Sequence, residues 1–80
     1  MPVVDRVALV FRKVFDFDSR RFTLDTTPEN VPNWDSVGHM NLVAQLEAEF
    51  GLQFEVDEIM EMSSAAKIIE ILRARGIADA

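Results

Sequence analysis

The chain has 80 residues, about half of them hydrophobic, with 8 Lys and Arg against 14 Asp and Glu, one His and no Cys, for a formal charge of −6. That is the size of one domain with one core, residues 1–80 as a unit, and the apolar share argues against disorder. The composition excludes disulfides, thiolate or multi-histidine metal sites and a Cys nucleophile; it argues against nucleic-acid binding, and no apolar run reaches the ~18 residues that cross a bilayer.

In chain order, Val3, Val7, Val10, Phe11 and Val14 recur at helical spacing and predict a first helix that ends near residues 15–17, with Pro2 suited to its first turn. From Asp18 to Trp34 there is no clean period, and Thr26, Thr27, Pro28, Asn30, Pro32 and Asn33 break any helix. Phe17, Phe22, Leu24 and Val31 give this stretch apolar anchors, so an ordered loop wrapped on the core is expected. Asp16 and Asp18 suggest a calcium loop, but Arg20, Arg21 and Thr27 fall at its fifth, sixth and twelfth positions, and calcium is rejected.

A second helix is predicted over residues 35–50, closed by Gly51. Leu42, Val43, Leu46 and Phe50 form its core face, which His39 shares; Val37, Met40, Ala44 and Ala48 form a separate apolar stripe. That stripe is either packed by the long loop or open to a partner. Gly38, Asn41, Gln45 and Glu49 lie between the two in a polar strip. A short helix follows over residues 57–62, and Ser63 or Ser64 caps a last helix built on Ala65, Ile68, Ile69 and Leu72, with Gly76 at its end. The expected fold class is all-α: three longer helices with a short one inserted before the last. Met60 and Met62 read as core filler.

Charge is sharply partitioned. Residues 1–24 carry +2 and residues 63–80 carry +1, whereas residues 25–62 carry nine acids and no Lys or Arg. Such a block is either a solvated face or a surface offered to basic partners.

At the start of the second helix, Asp35 is a good N-cap; Ser36 would then take the first helical position with its hydroxyl free, although Ser36 could itself be the cap. A free hydroxyl there sits at the positive end of a helix, where a phosphate ester is favoured. A hydrolytic role for Ser36 lacks a base–orienter pair. His39, facing the core near that same end, reads as a neutral packing residue. Trp34 either packs on the loop or against His39 as an N-terminal staple, or contacts partners.

The run Asp35-Ser36-Val37-Gly38-His39-Met40-Asn41-Leu42-Val43-Ala44-Gln45-Leu46-Glu47-Ala48-Glu49-Phe50-Gly51 resembles the second helix of acyl carrier proteins, whose signature is Asp-Ser-Leu leading into a helix that ends Leu-Glu-x-x-Phe-Gly. The resemblance covers nearly the whole chain, including the order of helices and the acidic middle, and it implies a four-helix bundle of acyl-carrier type. It implies that Ser36 carries 4′-phosphopantetheine, attached from coenzyme A by a phosphopantetheinyl transferase with magnesium, and that Asp35 helps present it. It implies partner contacts at Val37 and Met40 and an acidic recognition region at Glu47, Glu49, Glu55, Asp57, Glu58 and Glu61. It places an acyl pocket among Leu46, Phe50, Phe54, Ile59, Met62 and Ile69.

A chain without Cys forms no thioester of its own, and the arm's thiol supplies that function. The implied activity is non-catalytic: an acyl shuttle between loading, condensing and transfer enzymes of fatty-acid, polyketide or other lipid synthesis, expected as a cytoplasmic monomer with no stable membrane insertion. Val37 for the usual Leu, Gly38 and Asn41 where housekeeping carriers often have acids, and Trp34 before the motif suggest a specialised member. An aminoacyl or peptidyl carrier, including the D-alanyl type, is the near alternative, although Asn33-Trp34-Asp35-Ser36 does not match the Gly-Gly-(His/Asp)-Ser of peptidyl carriers. The alternative of another class is an acidic helical interaction module without a prosthetic group.

Overall fold

A computed structural model describes residues 2–77, which form four helices in the order α1 (Val3–Phe15), α2 (Ser36–Phe50), α3 (Val56–Glu61) and α4 (Ala65–Ala74), with no strand among them. Pro2 stands just outside α1 in an extended conformation, as its N-cap rather than in its first turn. Asp16 ends α1 in the left-handed region at φ 54°, where its N–H donates to Arg12 O and Phe17 N–H reaches Phe11 O. These bonds satisfy carbonyls that the last turn would otherwise leave open.

The apolar period of each helix becomes one core. Val3, Val7, Val10 and Phe11 of α1 meet Leu42 and Leu46 of α2 and Ile68 and Leu72 of α4, all essentially inaccessible to solvent. Phe11 is a hub: its ring lies 4.9 Å from that of Phe22, 5.1 Å from that of Trp34 and 5.6 Å from that of Phe15. Two of these partners come from the loop and its end, so the long loop is held by aromatic packing.

The loop itself is a succession of i→i+3 turns at Asp18–Arg21, Ser19–Phe22, Thr23–Thr26, Thr27–Asn30 and Val31–Trp34. Phe17, Phe22 and Val31 are buried as expected, but Leu24 is 49% exposed. Leu24 contributes its carbonyl instead, which accepts from Ala66 N–H, while Thr26 O accepts from Ala65 N–H. The loop thereby caps two orphan donors of α4, alongside Ser64, whose hydroxyl oxygen accepts from Lys67 N–H. Thr26, read as a breaker, is buried because its own hydroxyl oxygen accepts from Thr23 N–H.

The short helix begins at Val56, one residue earlier than expected, through a reciprocal capping box between Glu55 and Glu58. None of its residues is fully buried, so neighbouring elements hold it in place.

Candidate functional site

The loop delivers the chain to α2 through Asn33, at φ 72°, and Trp34, which is buried. Asp35 is the N-cap of α2: its carboxylate accepts from Gly38 N–H at 2.9 Å, and its carbonyl accepts from His39 N–H at 2.7 Å. Ser36 therefore occupies the first helical position, exposed, and its hydroxyl makes no hydrogen bond among the described residues. Gly38, expected in the polar strip, is buried, because the Asn33 backbone and the Phe15 ring close over it.

Beside Ser36 runs an open groove of about 530 Å³, with Asp35, His39 and Met40 on its α2 side and Ile59 and Met60 on its α3 side. Met62, Trp34 and Pro28 complete its walls. His39 sits at the centre of a three-element junction. Its Nδ1 accepts from the Trp34 indole Nε1–H at 2.9 Å, so the neutral ring carries its proton on Nε2, which donates to Ile59 O at 2.8 Å. With both nitrogens engaged, the imidazole has none left to take a proton from Ser36. Of the settings open to Trp34, the contact with His39 is found, through its N–H, and its ring is also buried against Phe11 and Phe15 of α1.

The second stripe of α2 is open: Val37 is 72% and Met40 57% exposed, and Ala44 and Ala48 are exposed as well. Two apolar residues of α3 are exposed as well, Val56 at 69% and Met60 at 79%, and Met60 shares the groove with Met40. The reading of Met60 as core filler is corrected here: Ile59 takes the inward position, and the next residue of a helix turns about 100° away. Met62 is buried. Val56 was missed because the helix it begins has six residues, too few to show a period of its own.

The acids divide by what they touch. Glu47 accepts from Phe54 N–H at 2.9 Å and ties down the segment before α3. Glu49 pairs with Arg6 at 3.1 Å and Glu58 with Arg75 at 2.6 Å, so the basic ends of the chain reach back to the acidic middle. Glu55 serves the capping box. Asp57 and Glu61 are exposed, with no side-chain partner among the described residues. Of the interhelical residues, Leu46, Phe50, Phe54 and Ile69 are packed in the core, while Ile59 and Met62 also line the groove. Among the described residues no three His, Cys, Asp or Glu gather to hold a metal ion, and no helix is long and apolar enough to cross a membrane.

Residues 5–72 match the family described as "Phosphopantetheine attachment site". The chain belongs to the phosphopantetheine-attachment family. It is similar over 95% of its length, and 91% of the other chain, to the solution NMR structure of a holo acyl carrier protein from Geobacter metallireducens, with 32% identity and a TM-score of 0.80. No curated protein matches the chain. The all-α bundle is thus that of acyl carrier proteins, and 4′-phosphopantetheine is the prosthetic group of this carrier domain. The α2 N-terminus fits that group: an exposed, unpaired hydroxyl stands where first-turn N–H groups favour a phosphate, and an open groove begins beside it.

Proposed function

We propose that Ser36 is the residue esterified by 4′-phosphopantetheine, and that the chain carries acyl groups as thioesters on the arm and catalyses nothing itself. The observation that carries this reading is the division of labour at the helix start. Asp35 commits its carboxylate to the Gly38 N–H, and the Ser36 hydroxyl stays exposed and free. A separate transferase brings the arm from coenzyme A with magnesium, and Asp35, one residue before the hydroxyl, helps present it. The bound arm supplies the thiol that this Cys-free chain lacks.

Delivery follows from the surface around Ser36. Val37 and Met40, with the exposed Val56 and Met60 of α3, make an apolar contact of limited size. Asp57 and Glu61 lead an acidic rim that Glu47, Glu49, Glu55 and Glu58 continue, partly neutralised by their own contacts. Such a surface steers basic enzymes in, fixes orientation through a small contact and releases quickly in a salt-sensitive way. The partners are acyl-loading, condensing or acyl-transfer enzymes of fatty-acid, polyketide or specialised lipid synthesis in the cytoplasm. Attached chains are accommodated towards Leu46, Phe50, Phe54, Ile59, Met62 and Ile69.

Incubation with coenzyme A and a broad-specificity transferase should add the mass of one phosphopantetheine, and Ser36→Ala should abolish the gain. No gain on the native chain would favour an interaction module. Identification of the group captured on Ser36 from native material then separates acyl from aminoacyl cargo.

A further inference from the structure

The groove beside Ser36 and the core behind it are separated by a specific contact. Along the inward face of α2, the residues after Ser36 at three- and four-residue steps are His39, Leu42 or Val43, Leu46 and Phe50. On the groove side of His39 lie Met40, Met60 and open solvent; on its far side Leu42 and Leu46 are completely buried. The imidazole spans from α2 to α3 through Ile59 O and to the loop through Trp34 Nε1. The helix it holds is the one without a fully buried residue, whose other polar tie to the bundle among the described residues is Glu58 to Arg75. Parting α3 from α2 at this point requires the His39 junction to open.

We propose that the Trp34–His39–Ile59 junction is a latch that sets the minimum length at which an attached chain leaves the surface groove and enters the core. This rests on the carrier reading above. The balance can be stated as ratios. Each methylene moved from water to an apolar interior favours burial about fourfold. Each hydrogen bond of the junction opposes opening about fivefold, and the two together about 25-fold. The latch therefore raises the threshold by about two methylenes. Cargo below the threshold stays in the methionine-lined groove, where a partner enzyme reaches it without first extracting it. His39 and Trp34 are positioning residues here, since they act through α3.

The test uses the holo-protein charged with straight saturated acyl groups of stepwise length. Core entry is read from the methyl resonances of Leu46 and Ile69 and from protection of the thioester against hydroxylamine. In the native chain both signals should begin at a definite length. His39→Ala should move that onset shorter by about two methylenes, the length equivalent of two bonds. Trp34→Phe, which keeps an aromatic ring against Phe11 but loses the N–H donor together with part of the buried indole, should move it by at least about one. Should His39→Ala fail to fold, Trp34→Phe decides alone. Coincident onsets in the native chain and the folded variants, or Leu46 shifts already present with the shortest cargo, overturn the latch and leave the carrier reading standing. Absence of any mass gain on Ser36, seen before cargo is loaded, overturns both.

Discussion

The backbone carbonyl of Asn33 occupies the space that a side chain on residue 38 would need, and the Phe15 ring closes the same space from the other side, 2.9 Å from the position of such a Cβ. Gly38 is thus the point at which the loop is laid directly on the first turn of α2. Gly38→Ala gains about 1 kcal/mol of helix propensity but forces a backbone group to move, which costs typically 1–3 kcal/mol and sometimes more. Because the obstructing group is backbone, the cost lies at the upper end of that range, and a net destabilisation of about 2 kcal/mol in urea denaturation is expected. Because Asn33 is two residues from the cap, the Asp35 amide region should shift in NMR spectra as well.

Asp35 holds two jobs that substitution can separate. Asp35→Ala removes the acceptor of Gly38 N–H and should lower stability by about 1 kcal/mol, whereas Asp35→Asn keeps a cap of similar quality and should be nearly neutral. Both variants lose the charge beside Ser36. Loading rates followed by intact mass should fall in both, so loading and stability part company in Asp35→Asn.

The acids of the middle segment should sort by experiment as they do by contact. Glu47→Ala leaves Phe54 N–H without its charged acceptor and should cost about 1–2 kcal/mol on thermal or urea unfolding. Asp57→Asn and Glu61→Gln touch nothing in the fold and should leave stability within about 0.5 kcal/mol. The same pair should slow association with a basic partner enzyme and flatten its salt dependence, measured by stopped-flow or surface binding kinetics.

Away from the site, the Arg20 guanidinium hydrogen-bonded to Asp18 holds that carboxyl below the usual aspartate range, helped by the Arg20 backbone N–H. A carboxyl whose folded value is depressed adds stability above its unfolded value, and that contribution is lost as pH falls through the folded value. An NMR titration should find the Asp18 midpoint lower than those of ordinary aspartates. Arg20→Ala should raise it, with only a slight change in stability because the pair is solvent-exposed.

Much of this architecture was legible because it depends on neighbours in sequence. The stripe of α1, the core face Leu42, Val43, Leu46 and Phe50 and the Gly51 stop are local patterns that the structure places as read, and it chose Asp35 over Ser36 and Ser64 over Ser63 as the caps the sequence had left open. Leu24 and Met60 escaped, since their orientation depends on which backbone group or neighbouring side chain takes the inward place. Gly38 escaped for the same kind of reason: its need for space comes from a carbonyl five residues away across a turn.

By itself the amino-acid order determined the helices, their ends to within about a residue and a serine at the start of α2, because periodicity and capping act within a few residues. It also determined that the acids of residues 25–62 have no base within their own segment. Only the tertiary structure decided which of those acids stay free, by bringing Arg6 to Glu49 and Arg75 to Glu58 from the two ends of the chain. It alone decided that one imidazole would join Trp34 to Ile59 beside the groove. Those pairings run between segments remote in sequence, and a hydrogen bond or ion pair forms only where folding has already set both partners within about 3 Å.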